Sequence, residues 1–327
     1  MRWLILAASL LAGLAHAEQA ALEELRLGAE YPVEGMANGN LSGLAKCGET
    51  LWGVSDRDDD RVFQLNLDGD HLQAEAETFV APEPPESQQP WGMRMRNWAA
   101  SLVRGGTLDF EGLSCDAQGN RYLVSETQSA VLQLAPNGAA QWLRLPNALV
   151  RQARASGMLL HFNQGFEGIA IDPAGERLWL AAEQRRRGLA VLHRQNSTWR
   201  CTGGCVLFND SGTQPSPAAL GGHDAPRDFS GLSYFENKLF TLERQAYRIC
   251  RRTLSDGAVE RCWSFAAEAL SEPRRYTADY GVAEALWIDK DGAWIGVDNG
   301  SLTRADGEQR PIVWRFKAPE GGWSQRQ

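Results

Sequence analysis

Acidic residues interrupt apolar stretches at repeated points in this sequence. In the segment DFEGLSCDAQGNRYLVSE, which begins at Asp109, Glu111 lies between Phe110 and a run that returns to apolar residues. A carboxylate among apolar residues needs a partner, or its pKa rises because burial disfavours the charged form. Such a position is typical either of an exposed strand or of a site that binds a cation, and the rest of the chain decides between the two.

The pattern around Glu111 recurs along the chain. Each copy reads as a strand, a turn rich in Gly, Asn and Asp, a second strand and an acid, usually followed by a third strand. A spacing of about 60 residues suits a four-stranded sheet with its loops, which is one blade of a β-propeller. We predict an all-β propeller with five blades, six being the alternative, whose ring is closed by the N-terminal stretch ALEELRLGAEYPV. The copies begin at Asn40, Asp109, Gly165, Asp228 and Gly281.

The first strand of each blade in a propeller lines the central channel, so one position per blade converges on the axis. Three carboxylates facing one another across a narrow channel cannot all stay ionised without compensation. A hard cation provides it, and oxygen donors with room for water favour Ca²⁺ over Mg²⁺. The alternative is that the acids bind backbone amides or face a wide, hydrated channel. The predicted calcium ligands are Ser42, Glu111, Glu167, Ser230 and Glu284.

A second set of acids stands at the ends of the second strands. Because the first two strands of a blade are antiparallel, these ends lie beside the starts of the first strands, near one mouth of the channel. Arginines follow some of these acids, and a guanidinium beside a divalent ion is suited to hold phosphate or carboxylate. Solvated salt bridges at the rim are the alternative. The acids are Asp56, Glu126, Glu183, Glu243 and Asp298, and the arginines are Arg57, Arg185 and Arg244.

We predict a single propeller domain over residues 18–327 with loop insertions at about 81–108 and 145–164. Each insertion precedes a first strand, so both should overhang the same mouth. Long loops on a rigid scaffold often carry binding residues. Capping of the sheet edges is the alternative reading of these insertions.

The first residues, MRWLILAASLLAGLAHA, combine Arg2, an apolar stretch and a small-residue ending, which indicates a secretory signal over residues 1–17 that is cleaved after Ala17. A retained N-terminal anchor is the alternative. No later segment reaches the roughly 20 apolar residues of a membrane helix. We therefore expect a periplasmic or secreted protein without stable membrane insertion.

All six cysteines follow that cleavage point, and an even number in an exported chain favours disulfides over metal thiolates. A turn near Asp256 brings two cysteines opposite each other in a hairpin, and two others flank a short Thr-Gly-Gly loop. A zinc site built on CTGGC alone lacks a second pair of ligands. The predicted pairs are Cys250–Cys262, Cys201–Cys205 and, by remainder, Cys47–Cys115.

The formal net charge of −8 argues against a general nucleic-acid binder, which normally carries a basic face. We expect a small anionic partner, most simply a phosphorylated substrate, and no nucleic acid. The sequence leaves open whether a protein partner exists.

The segments NQGFEGIAIDPAG and DFEGLSCDAQGNRYLVSE resemble the repeated motifs of the bacterial family labelled esterase-like activity of phytase. A more distant resemblance is to the apyrase family of calcium-activated nucleotidases, five-bladed propellers with one Ca²⁺ in the central channel. In that family the ligands follow the order Ser, Glu, Glu, Ser, Glu, which is the order of the predicted ligands here. LWGVSDRDDDRVFQL also resembles the nucleotidase pattern of an acid and an arginine near the substrate, here Asp56 and Arg57.

The sequence differs from the nucleotidases more at the residues of their active site than at their calcium ligands. A second acid usually precedes their Asp-Arg pair, and Ser55 occupies that position here. The later active-site loops of the nucleotidases have no clear counterpart in this chain. The resemblance therefore implies a calcium site more strongly than it implies a nucleotide substrate.

Together these features predict an exported Ca²⁺-dependent hydrolase of phosphate esters or anhydrides. Asp56 or Glu126 would act as base and Arg57 with Arg244 would hold the phosphate. The rival hypothesis is a non-catalytic propeller that calcium stabilises and that binds a ligand or protein. The sequence contains neither the G-x-S-x-G nor the H-E-x-x-H motif of conventional serine and zinc hydrolases. The full set of candidate catalytic residues is Asp56, Arg57, Glu126, Glu183, Arg244 and Asp298.

Overall fold

The computed structural model describes residues 22–36, 40–104 and 106–325, so the predicted signal segment lies outside the described residues. Strands dominate the described chain, and the predicted all-β class is confirmed. Two strands precede the first repeat, namely β1 (Glu23–Glu24) and β2 (Leu27–Glu34). No helix within these ranges is both long and apolar enough to cross a membrane.

The first two repeats each form four antiparallel strands. The first repeat contains β3 (Gly43–Cys47), β4 (Thr50–Val54), β5 (Arg61–Asp68) and β6 (His71–Thr78). The second contains β7 (Phe110–Cys115), β8 (Arg121–Ser125), β9 (Ala130–Leu134) and β10 (Ala140–Trp142). Helices follow in both insertions, with α1 at Trp91–Arg104 and α2 at Ala148–Ala155.

The third repeat is the most elaborate. It contains β11 (Phe166–Ile171), β12 (Arg177–Ala182), β13 (Arg186–Gln195) and β14 (Thr198–Arg200). Strand β15 (Val206–Ser211) also pairs with β13. A separate hairpin follows, formed by β16 (Thr213–Pro215) and β17 (Asp224–Pro226), with a 3-10 helix at Ala218–Leu220 between them.

The last two repeats complete the chain. The fourth contains β18 (Gly231–Phe235), β19 (Lys238–Glu243), β20 (Arg248–Arg252) and β21 (Val259–Ser264). The fifth contains β22 (Ala283–Asp289), β23 (Gly292–Val297) and β24 (Ile312–Lys317). Short helical turns lie at Arg244–Ala246, Ala266–Ala269 (α3) and Glu272–Arg274.

The first strand of each repeat lies on the inside of the molecule. Strand β3 contacts β7, β7 contacts β11, β11 contacts β18, β18 contacts β22, and β22 contacts β3. This closed circle of inner strands, with the other strands of each repeat outside it, is the arrangement of a β-propeller. The predicted propeller architecture is therefore correct.

The N-terminal strand closes the ring as predicted. Strand β2 pairs antiparallel with β24, so the last repeat receives its outer strand from the beginning of the chain. Strand β2 also pairs in parallel with β6 through Val33 and Glu34. One eight-stranded sheet therefore joins the first and last repeats, and β16–β17 stands apart. Because the sheets do not divide the chain into five separate units, the count of five blades stays a prediction.

Apolar clusters fill the spaces between successive repeats. One packs Trp52 of the first repeat against Leu123 of the second, and another packs Trp179 of the third against Leu239 of the fourth. Burial of such side chains contributes about 1.5 to 3 kcal/mol each. This packing fixes the inner strands, at whose starts the predicted ligands lie.

The three predicted disulfides are all confirmed: Cys47–Cys115, Cys201–Cys205 and Cys250–Cys262. The first joins the ends of the inner strands β3 and β7 across 68 residues of sequence. Disulfides of this kind are characteristic of proteins in oxidising compartments. They are compatible with export of the chain.

Candidate functional site

The glutamates of the predicted calcium ring lie in β-bulges. Between β7 and β8, Phe110 pairs with Ser125 and Gly112 with Val124, so Glu111 has no cross-strand partner. The same irregularity occurs at Glu167 in β11 and at Glu284 in β22. A bulge interrupts the alternation of a strand and re-aims one side chain. The bulges therefore explain how a carboxylate enters the channel from a strand whose neighbouring residues are buried.

The serines of the ring reach the channel differently. Ser42 and Ser230 directly precede β3 and β18, and their N–H groups donate to Val54 and Leu242 over 3.0 Å. The Ser230 hydroxyl donates to the Ala283 carbonyl over 2.8 Å, and the Ser42 hydroxyl accepts from the Asp56 N–H over 3.3 Å. Four of the five predicted ligands line one central cavity of about 10 Å³, which is the space of a single water-sized sphere, namely Ser42, Glu111, Glu167 and Glu284. At the fourth repeat the cavity is lined by Gly231 rather than by Ser230.

Glycines after the ring positions let neighbouring inner strands approach closely. A Cβ at Gly112 would lie 2.7 Å from the Glu167 carbonyl oxygen, and one at Gly231 would lie 2.8 Å from that of Glu284. Contacts this short with backbone atoms cannot be relieved by a side-chain rotation. The repeated Glu-Gly and Ser-Gly pairs thus combine a channel-facing ligand with a tight junction between strands.

We expect Gly112→Ala to lower the free energy of unfolding by about 1 to 3 kcal/mol, the usual range for overpacking. Gly92→Ala is the matched control, because a Cβ there meets no atom within 4 Å and alanine favours the helix α1. Chemical denaturation of the two variants measures the difference. Equal stability of both variants would contradict the close approach of β7 and β11.

Four acids of the predicted second set lie at the mouth beside the ring. Asp56, Glu126, Glu183 and Asp298 each follow a second strand and interact electrostatically with ring glutamates. Burial and the nearby Asp109 raise the pKa of Glu126 to about 8, although the Gly165 N–H donates to it over 2.7 Å. Burial also raises the pKa of Asp298, which accepts from Asn40 over 3.4 Å and from the Gly300 N–H over 2.8 Å.

The fifth acid, Glu243, is oriented differently from the prediction. It is still part of β19, where its carboxylate accepts from arginines on the outer strands. Its neighbour Arg244 lies at the mouth instead, and its guanidinium donates to Glu183 and Glu284. Arg244 Nε also lies 3.5 Å from Asp228 Oδ2. The positively charged side chain of Arg244 therefore lies among the acids at the mouth, next to the fourth repeat.

The pairing of Arg244 changes its expected role. Its side chain is 14 % exposed and is held by three carboxylates, whereas that of Arg57 is 32 % exposed and lies 3.2 Å from Asp56. Of the two arginines predicted to hold phosphate, Arg57 is the one open to a ligand from outside. The other predicted arginine, Arg185, is exposed.

Sequence reasoning missed a layer of polar residues two positions before the ring. Asp109 and Asp228 are almost fully buried, and Asn40 donates to Asp298. Asp109 has a φ of 55°, a left-handed conformation that is uncommon outside glycine. Burial raises the pKa of Asp228 to about 7. The signal was present in the repeats, which read Asn-Leu-Ser-Gly, Asp-Phe-Glu-Gly and Asp-Phe-Ser-Gly.

Three carboxylates come together on one side of the channel. Oxygens of Asp56, Asp109 and Glu111 all lie within 4.8 Å of one another. Burial raises the pKa of Glu111 well above its ordinary value, and the four charged neighbours with the largest effects are all carboxyls. They are Glu167, Asp109, Asp56 and Glu126.

This donor set fits a calcium ion. The polar side chains that line the channel end all offer oxygen, which is the ligand atom that Ca²⁺ prefers. On the ring, Glu284 Oε2 is buried and finds no hydrogen-bond donor in the described part of the chain. The guanidinium of Arg244 offsets the negative charge of Glu183 and Glu284 on one side of the channel. On the other side, the charged groups that act most strongly on Glu111 are all carboxyls. A divalent cation held near Asp56, Asp109 and Glu111 would balance that charge.

Both predicted insertions reach this mouth. Gln89 donates to the Glu126 carbonyl over 3.3 Å, and Asn97 of α1 donates to the Thr127 carbonyl over 3.2 Å. From the second insertion, Phe162 and Asn163 line a small cavity together with Glu126 and Asp109. Their position favours the overhanging arrangement over capping of the sheet edges.

The sequence matches a family model described as phytase-like, esterase-like activity of phytase, over residues 37–202. The match spans just over half of the chain. The chain belongs to this phytase-like family. The phytase-like match includes the first three repeats and with them Ser42, Glu111 and Glu167, whereas Ser230 and Glu284 lie beyond it. Among curated proteins, no sequence matches this phytase-like chain.

Solved structures resemble the phytase-like chain in fold at low sequence identity. Glutaminyl cyclase of Myxococcus xanthus has a TM-score of 0.50 at 11 % identity, with 90 % of this chain and 98 % of that chain covered. The aldose sugar dehydrogenase of Streptomyces coelicolor has a TM-score of 0.43 at 12 % identity, covering 91 % and 98 %. Likeness at such identities concerns the fold alone, so the activity must be argued from the site.

Proposed function

We propose that the protein is an exported, calcium-dependent hydrolase of phosphate esters or anhydrides that acts at the mouth of the propeller channel. The observation that carries the proposal is the group of Asp56, Asp109 and Glu111 beside the partly exposed Arg57. A cation site next to an accessible guanidinium is suited to a substrate with a phosphoryl group. Membership of the phytase-like family supports hydrolysis in general.

The side chains at the mouth would bind either the ion or the substrate. Asp56, Asp109 and Glu111 would hold the ion, with Glu167, Glu284 and Ser42 completing the channel end. When bound, Ca²⁺ would supply polarisation of a phosphoryl oxygen. Arg57 would bind and orient the phosphate from the outside. Arg244, held by Glu183 and Glu284, would keep these carboxylates in place rather than contact the substrate.

Glu126 is the proposed general base. One of its oxygens accepts from the Gly165 N–H, which fixes the carboxylate at the mouth. Asp56 was an equal candidate from the sequence, but it belongs to the carboxylate group that would hold the ion. With a cation offsetting the neighbouring acids, ionised Glu126 would take the proton of the attacking water. Asp298, fixed by Asn40 and Gly300, would complete the acidic rim.

The test measures phosphate or alcohol release from nucleotides, phytate and aryl esters, first with calcium and then with a chelator. We expect release only with calcium. Calcium at about 100 times its dissociation constant should also stabilise the fold by about 2.7 kcal/mol, which appears as a rise in melting temperature. A rise without turnover of any substrate would favour the non-catalytic binding propeller. No rise and no release would reject the calcium site itself.

A further inference from the structure

A large cavity lies away from the channel, on the outside of the third and fourth repeats. It has a volume of about 1300 Å³. One wall is formed by β20 and β21, and the other by β15, the β16 segment and the 3-10 helix that follows it. The residues that line it include none of the channel ligands. We call this cavity the lateral cleft.

The lateral cleft concentrates positive charge in an acidic protein. Five arginines line it, and four of them form one network with two carboxylates. Arg187 lies 2.7 Å from Asp210 and 2.9 Å from Glu243. Asp210 also pairs with one further arginine, and Glu243 with two. These additional pairs are Arg227–Asp210 at 2.9 Å, Arg248–Glu243 at 2.5 Å and Arg252–Glu243 at 3.0 Å.

The other charged groups of the cleft do not cancel this excess. Glu260 pairs with Lys238 and Arg251. Arg261 pairs with Glu23, and Glu24 accepts from the Ala267 N–H over 3.3 Å. Two guanidinium charges therefore remain without a matching carboxylate in the arginine network.

Two buried donors in the same network have no acceptor. Gln214 is 7 % exposed, and its oxygen accepts from Arg248 over 2.9 Å. Its Nε2 finds no partner among the described residues, and neither does Arg227 Nε. A buried donor without an acceptor is costly, so groups of this kind usually mark a missing partner. Where the surroundings are cationic, the acceptor that fits is an anion.

The cleft also offers an apolar surface next to these donors. Phe208, Pro215 and Leu270 line it, and Val259 is half exposed. A wholly inorganic ion would use the donors and leave this surface in water. A ligand that carries both an anionic and an apolar part would use both.

We infer that the lateral cleft binds a small organic anion. Its carboxylate or phosphate accepts from Arg227 and Gln214, and its apolar part lies against Phe208 and Val259. The site is independent of the proposed hydrolase site. The arginine network of the cleft and the charged groups at the mouth nevertheless both contact Asp228. Its carbonyl accepts from Arg187 over 3.1 Å, and its carboxylate lies 3.5 Å from Arg244.

The experiment titrates the purified protein with phenyl phosphate and with benzoate by calorimetry, in the presence of a chelator that removes calcium. We expect at least one probe to bind at millimolar concentration. Arg227→Gln and Gln214→Leu should each weaken that binding about tenfold, the loss of one charge-assisted hydrogen bond. The two probes separate phosphate from carboxylate as the preferred group.

The matched control is Arg310→Gln. The Arg310 side chain is 41 % exposed and paired with acids, as the Arg227 side chain is 40 % exposed and paired. Binding should be unchanged in this variant. Absence of binding by both probes overturns the inference, as does equal binding by wild type and Arg227→Gln. Binding that is lost in Arg57→Gln but kept in Arg227→Gln places the probe at the mouth and also overturns it.

Discussion

Replacing Glu111 with Gln should abolish calcium binding and calcium-dependent hydrolysis together, with activity falling about 100-fold or more. Glutamine has nearly the same shape but carries no charge, so the group of Asp56, Asp109 and Glu111 loses one of its three negative charges. The variant should fold. Without calcium it should be at least as stable as the wild type, because burial and four neighbouring carboxyls oppose ionisation of Glu111.

The comparison of melting temperatures with and without calcium separates this effect from misfolding. Calcium should raise the melting temperature of the wild type and leave that of Glu111→Gln unchanged. Glu75→Gln, on the exposed side of β6, is the control and should respond as the wild type does. A calcium-dependent rise or retained hydrolysis in Glu111→Gln would remove Glu111 from the site.

Glu243→Gln should be among the most destabilising single substitutions in the chain, with a loss of about 3 to 5 kcal/mol at neutral pH. Glu243 is fully buried, and its carboxylate pairs with Arg187, Arg248 and Arg252. Removal of that charge leaves three guanidinium groups facing one another. Denaturant unfolding of the variant beside the wild type measures the loss.

The pH dependence of this loss follows from the sign of the pKa shift. Although burial opposes it, the three arginines lower the pKa of Glu243 below its ordinary value of 4.5. The folded state therefore gains stability from ionised Glu243 above that value and loses it as the pH falls through the lowered pKa. The difference between wild type and variant should be constant near neutrality and shrink in acid.

The control is Glu49→Gln, whose exposed carboxylate pairs with Lys46 at the surface. Such a pair contributes at most about 1 kcal/mol. If Glu243→Gln lowers the free energy of unfolding by no more than Glu49→Gln does, the arginine network does not depend on this carboxylate.

The architecture could be predicted because the repeated strand pattern and the even number of cysteines are visible in the sequence. The copies that start at Asn40 and Asp109 show the strand and turn pattern, and the even number of cysteines indicates disulfides. The closing strand β2 follows from the strand that the last repeat lacks. The family match covers only the first three repeats, so the later ones are related to them by the fold and by their shared motifs.

The details of the site depend on geometry that sequence patterns do not encode. Side chains alternate along a strand, so a difference of one residue reverses the face. Strand β19 continues through Glu243, and therefore Arg244 rather than Glu243 lies at the mouth. In the same way a bulge, which depends on the pairing of two strands, decides that Glu111 faces the channel. The lateral cleft requires side chains from separate strands and could not be recognised from any one motif.

The closure of the ring by β2 also has a consequence for folding kinetics. Strand β2 precedes the first repeat and its partner β24 is the last strand of the fifth, so their pairing closes a loop that contains nearly all the other described strands. Contacts of such high sequence separation form slowly, because the entropy of a long loop must be lost before the pairing compensates for it. Until β24 arrives, β2 and the outer edge of β23 remain open strand edges that can pair with another molecule. A chain that has not yet completed this pairing therefore exposes two strand edges that favour aggregation.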